Sequence, residues 1–262
     1  VIFINNYKKI SMVFLIIVLI FSTSLAEKSV LGSLFPLVKP KKDDKLLSES
    51  QAKVKSAQAV TAAPLRPAVR EGVDYSWGYY PGFAHKLKSG GKQFVMRYVA
   101  TGEGKEITAG EVIELKKAGL AIGVVFEITH RHNRPLDGFK AGQVDATKVR
   151  QYVHGVGLPS NMPIYFAVDF EASSAQQAAI NSYISGAASV LGKDKTGVYG
   201  GYDTVAGALN AGVCKYAWQT YSWSRGRFDA RAQIRQYLNK QSLHGVAVDM
   251  NKIIHSDSGI HH

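Results

Sequence analysis

Asp169 and Glu171 stand two residues apart at the end of an apolar run, Pro163 to Glu171 (PIYFAVDFE). In a strand, side chains at i and i+2 share a face, with Cα atoms roughly 6.6 Å apart. Two carboxylates that close cannot both ionise without cost, so one keeps its proton to higher pH. A proton-bearing acid beside an ionised carboxylate is the pair that glycoside hydrolysis uses. The spacing predicts Glu171 as the acid that protonates the leaving oxygen. Asp169 is expected to stay charged and support the cationic transition state, or to position a water or an N-acetyl group. Asp74, at the end of the first strand-like run, adds a third charge across the same mouth. A bare D-x-E could equally hold a cation; its place after an apolar strand favours acid–base work.

Other apolar runs close in the same manner. Their ends carry Arg97 with Tyr98, Glu127, Tyr199, Trp218 with Gln219, Gln236, and Asp249 with Asn251. Of these, Arg97, Glu127, Tyr199, Trp218, Gln219, Gln236 and Asp249 are expected to bind substrate, together with Trp77. Aromatic rings gather after the first and sixth runs (Tyr75, Trp77, Tyr79, Tyr80, Trp218, Tyr221, Trp223), and such rings stack on sugar faces as readily as they fill cores. Trp218 is expected to face largely into the core, and Trp77 or Trp223 the groove. His130 and His132 share one loop. A barrel metallohydrolase would need further His at the ends of strands five and six, which lack them, so no metal and no cofactor are expected. Cys214 is the single cysteine, which excludes an intramolecular disulfide and a Cys-based zinc site. It reads as buried and inert.

The elements that must position these residues alternate. Strands are expected at 73–77, 93–100, 120–127, 163–171, 196–201, 215–221, 233–238 and 245–251. Thr108 to Glu111 has the form of a capping box opening a helix. Further helices are expected at 145–154, 173–191 and 204–209. Strand–helix alternation implies a parallel sheet covered by helices. Eight strands close a (β/α)8 barrel, whose active sites lie at the carboxyl ends of the strands. The fold class is therefore α/β, a TIM-type barrel that is irregular in its last three strands, where the connections are too short for full helices and some neighbours are antiparallel. An open doubly wound sheet is disfavoured by the lack of a Gly-rich phosphate loop after the first strand.

The chain has 262 residues, a formal net charge of +12 and 46% hydrophobic content. These values exclude a disordered chain, a collagen-like chain and a disulfide scaffold. Residues 12–21 form an unbroken apolar run preceded by Lys8 and Lys9 and followed by Ser24-Leu25-Ala26. That is the pattern of an export signal over 1–26, too short to span a membrane. Residues 27–70 hold nine Lys and Arg against four Asp and Glu, with no aromatic residue from Lys39 onward. They read as a basic flexible linker, leaving 71–262 as the folded domain. The expected location is secreted or cell-envelope, with no stable membrane span after signal cleavage. The basic charge suits an anionic cell-wall polymer. No nucleic-acid module is present, and a monomer is expected.

The segments GVDYSWGY (72–79), MRYV (96–99), VVFE (124–127), PIYFAVDFE (163–171), GVYGGY (197–202), AWQTYSWS (217–224), IRQY (234–237) and VDMN (248–251) occur in order along the chain. As a set they resemble the secreted glycoside hydrolase-like domain family, formerly a domain of unknown function. That family is similar to family 25 glycoside hydrolases, the lysozyme type that cuts peptidoglycan. The resemblance covers about residues 71–254. It implies a barrel whose last three strands lack regular helices. It places the lysozyme-type D-x-E on Asp169 and Glu171 with Glu171 as proton donor, the first-strand Asp on Asp74, the last-strand D-x-N on Asp249 and Asn251, and Glu127 in the cleft. The activity it implies is cleavage of a β-linked amino-sugar polymer such as peptidoglycan. A non-catalytic glycan-binding or envelope module on the same barrel is the alternative, since fold alone does not confer activity.

Overall fold

A computed structural model describes residues 70–261. The expected export signal and nearly all of the basic linker lie outside the described residues; Arg70, the last linker residue, opens the first strand. Eight strands form a closed barrel in sequence order: β1 (Arg70–Asp74), β2 (Phe94–Tyr98), β3 (Ala121–Phe126), β4 (Ile164–Ala167), β5 (Thr196–Gly200), β6 (Tyr216–Thr220), β7 (Ile234–Leu243) and β8 (Val246–Ile253). Pairing is parallel from β1 through β7, while β8 runs antiparallel to both β7 and β1. Helices cover the first five connections: α1 (Phe83–Ser89), α2 (Ala109–Lys117), α3 (Gly138–Gly155), α4 (Gln177–Leu191) and α5 (Tyr202–Asn210). The expected α/β barrel, irregular at its end, is the fold that forms. After β6 the chain returns without a helix, and β7 and β8 make one long hairpin with two register shifts.

Strand alternation sorts the side chains into two layers. Val95, Val124, Phe126, Phe166, Val198 and Ala217 point outward and pack under the helices. Phe94, Met96, Val125, Tyr165, Ala167, Tyr199 and Trp218 point inward and fill the barrel. Gly142 on α3 and Gly186 on α4 allow the tightest helix crossing. A Cβ at either would fall about 2 Å from a backbone carbonyl of the other helix, on Tyr183 and Phe139 respectively. The tail closes the lower end of the barrel, where Ile260 packs inside and His261 bridges to Ile122.

Three expectations shift. α1 was not anticipated: seven residues that bury Phe83, Ala84 and Leu87 are too short to show a periodic pattern. β1 stops at Asp74, so Tyr75 to Trp77 belong to the loop above the barrel. β4 stops at Ala167, so Asp169 and Glu171 lie beyond regular strand. Among the described residues no helix is long and apolar enough to cross a membrane.

Candidate active site

The inward rows of seven of the eight strands, followed to their upper ends, lead to the same place. β1 delivers Asp74, β2 Tyr98, β5 Tyr199, β7 Gln236 and β8 Asp249 with Asn251; the residues just after β3 and β4 supply Glu127 and Asp169. Asp74 and Asp249 face each other as register partners.

Asp74 is 4% exposed. Its Oδ2 accepts from Asn251 Nδ2 at 2.6 Å and from Gln236 Nε2 at 2.9 Å. Gln236 Nε2 also reaches Asp249 Oδ2 at 3.3 Å, and its Oε1 accepts from the Tyr199 hydroxyl at 3.0 Å. Lys240, in left-handed backbone at φ 57°, donates its N–H to Asp249 Oδ1 at 2.7 Å. Both side-chain amides thus bind one oxygen of Asp74 and leave the other for a proton.

Burial, then repulsion from Asp249, push Asp74 up to about 7, against the pull of the Asn251 and Gln236 hydrogen bonds; Asp169 adds to the rise. Burial also raises Asp169, with Lys105 opposing and Asp249 reinforcing. Glu127 follows the same pattern, raised by burial, lowered by Lys105 and raised by Asp169. The repulsion therefore runs across strands, between Asp74, Asp169 and Asp249. Asp169, expected to stay charged beside Glu171, is instead raised, and the carboxylate acting on it is Asp249.

A linkage consequence follows for Asp74. A carboxyl whose folded value is about 7 and whose ordinary value is 3.8 stabilises the fold below the lower value, and that stability is lost as pH rises toward the upper one. Asp74→Asn should therefore add up to about 4 kcal/mol to the unfolding free energy at pH 8 and little at pH 4. Urea denaturation at both pH values measures this, and an equal gain at both would refute it.

The other expected site residues divide. Trp77 is 59% exposed and walls a cleft of about 190 Å³ with Asp74, Tyr98, Asp249 and Lys240. Glu171 stands at the rim, its side chain 54% exposed and bonded to Arg225 Nη2 at 2.6 Å. Trp218 faces the core as expected, and that corrects its place among the substrate contacts: it is buried inside the barrel against Tyr199 and donates to Asn251 Oδ1 at 2.8 Å, so it orients a partner of Asp74. Arg97 is a second correction. It lies on the outward row of β2, fully buried, bonded to both carboxylate oxygens of Glu111 and to the carbonyls of Tyr75 and Trp77. Glu111 does not complete the capping box; only its N–H meets Thr108, while its carboxylate takes Arg97 and the Tyr75 hydroxyl. Gln219 is the third, also on an outward row, where it ties Ser224, Arg227 and Asp229 of the β6–β7 loop together.

His130 bonds Glu103, and the His132 ring stands against Phe170. Among the described residues no group of three or more His, Cys, Asp or Glu is placed to hold a metal ion. Cys214 is buried, which pushes its thiol up to about 12. Two residues of the mouth were absent from the expected set. Tyr98 follows the inward row one place after Arg97. Lys105 lies in a Gly-flanked turn just above β2, and that position was its only signal.

The chain can be set beside known proteins at this point. It is 29% identical over 199 residues to the Mycobacterium tuberculosis protein named "Putative peptidoglycan hydrolase Rv2525c", across 71% of this chain and 82% of that one. The crystal structure of the M. tuberculosis Tat-secreted protein Rv2525c in complex with L-tartrate superposes with a TM-score of 0.67 at 28% identity, over 73% of this chain and 98% of that one. A family 25 glycosyl hydrolase from Bacillus anthracis shares the fold at TM-score 0.51 and 16% identity, over 72% and 90% of the two chains. The profile described as Rv2525c-like, glycoside hydrolase-like domain matches residues 85–253, which carry seven of the eight strands and all of the mouth except Asp74 and Trp77, and the chain belongs to that family.

Proposed function

We propose that this chain is an exported glycoside hydrolase that cleaves a β-linked amino-sugar polymer of the cell wall, with peptidoglycan as its substrate class. The observation that carries this is the convergence of Asp74, Glu127, Asp169 and Asp249 at the upper end of the barrel, where Asp74 and Asp249 line an open cleft walled by Trp77. Family membership and the names of the M. tuberculosis relatives support the substrate class and the export. The apolar run at 12–21 and the basic stretch at 27–70 supply the signal and a tether toward an anionic wall. One chain holds the whole carboxylate group, so a monomer suffices.

Asp169 faces the positive charge that develops at the anomeric carbon. Glu171, accessible at the rim and ion-paired with Arg225, takes up a proton from solvent once substrate displaces Arg225 and passes it to the leaving oxygen. Asp74 is a second candidate donor, because burial keeps its proton on near neutral pH. The two are separated by leaving group, since an activated aryl glycoside needs no general acid. Glu171→Gln should lose about 10³-fold in reducing-end release from peptidoglycan yet retain cleavage of the aryl substrate. If Asp74→Asn shows that split instead, Asp74 is the donor. Purified peptidoglycan, chitin oligosaccharides and a neutral β-glucan form the substrate panel. No release from any of them by folded native protein would reject the hydrolase reading in favour of a glycan-binding module.

A further inference from the structure

Arg97 and Lys105 are the only buried bases among the described residues, and Arg97 is spent on the outer layer. Lys105, 8% exposed, is the buried cation of the mouth. The turn that carries it is built to return it there. Gly102 and Gly104 adopt φ of 77° and 78°, open only to glycine without strain. The Glu106 carboxylate closes the turn by accepting from the Thr101 hydroxyl and from the N–H groups of Gly102 and Glu103. The Lys105 ammonium then sits 4.4 Å over the Tyr98 ring, 3.2 Å from Glu103 Oε2 and 3.5 Å from Glu127 Oε2, and donates to the Thr129 hydroxyl. Glu103 is already engaged by the N–H groups of Thr129 and His130 and by the His130 ring.

We propose that Lys105 is the positioning cation of this site, holding Glu127 directly and acting through its field on Asp169, on the side of the mouth across from Asp74 and Asp249. Lys105 is the leading influence lowering both carboxyls against burial. Asp169 is also faced by Asp249, His132, Tyr199, Asp74 and Tyr98, and Glu127 by Asp169, Glu103 and Tyr98. None of these supplies a second fixed positive charge: His132 sits on an exposed loop and is cationic only when protonated. Without Lys105 the mouth would protonate as one acidic cluster. With it, Glu127 and Asp169 are drawn back toward the ionised form against burial, while Asp74, pushed up to about 7, holds its proton, and acid and base roles are drawn apart.

The kinetic part of this inference rests on the glycosidase reading; the titration part does not. Lys105→Met, Lys105→Gln and Lys105→Arg in the full chain test it. Carboxyl 13C NMR titration should show the Asp169 and Glu127 midpoints raised by about one pH unit in the Met and Gln variants and restored in the Arg variant. The acidic limb of the cleavage profile should move up equally, costing up to about tenfold in kcat on that limb with KM little changed. In the native protein, the 15N resonance of the Lys105 ammonium should step with the same two titrations, a readout that needs no variant to fold. Unmoved midpoints in folded variants, or a native ammonium blind to those titrations, would overturn the assignment. A native protein that cleaves no glycan but shows the shifts would remove the hydrolase and leave the role of Lys105 standing.

Discussion

Cleavage of peptidoglycan by the Asp169→Asn variant should fall by about 10³-fold in kcat, with KM little changed and the fold intact. Asn keeps the shape of the side chain and removes only its charge. Asp169 lies past the end of β4 on the inward row, part-buried; burial raises its carboxyl, Lys105 and His132 pull it back toward the ionised form and Asp249 opposes them. A charge held in a partly dry site acts on a developing cation far more strongly than one in water. Losing it removes an interaction made mainly in the transition state, which is why kcat should carry the loss. Stability should hold or rise, because the substitution relieves repulsion with Asp249. A melting temperature within about 3 °C of native would show that no structure was lost. Cleavage within about threefold of native would show that Asp169 is no part of the chemistry and would return the search to Asp74 and Glu171.

The sequence made the barrel legible because eight apolar runs, each ending in a polar or aromatic residue, have few other ways to close. It made most of the mouth legible too: Asp74, Glu127, Asp169, Tyr199, Gln236 and Asp249 meet there. The three residues that fail do so for one geometric reason or its converse. Arg97 and Gln219 sit at strand ends but on the outward row, so the period of two assigns them to the helix layer and assigns Tyr98 and Thr220 to the interior. Trp218 has the correct parity but enters too early in β6 to reach the cleft, and is buried below it. Glu171 shows the limit of the i, i+2 rule. The rule holds while the strand lasts, and β4 ends four residues earlier. Lys105 could not be found by strand parity at all, since a turn with two left-handed glycines sets its direction. Glu111 departs from the capping-box pattern for a related reason: the spacing fixes the backbone contact with Thr108, but tertiary partners decide where the carboxylate goes.

That carboxylate leads to the largest expected effect on stability. Arg97→Met should cost about 3–5 kcal/mol in urea denaturation at pH 7, because it strands Glu111 as an unpaired buried charge. Only the Tyr75 hydroxyl would remain to it among its side-chain partners here. The carbonyls of Tyr75 and Trp77 would lose their guanidinium donors as well. Arg97→Met combined with Glu111→Met should recover most of the loss, since a buried ion pair replaced by apolar groups of similar volume is often neutral or stabilising. Cleavage separates the two effects. The double variant, although stable, still lacks the donor that fixes the Trp77 carbonyl, so its KM should remain raised while kcat recovers. A single variant that loses less than about 1 kcal/mol would mean the pair is not dry enough to matter. A double variant with native KM would mean that the loop above β1 holds Trp77 in place without help from Arg97.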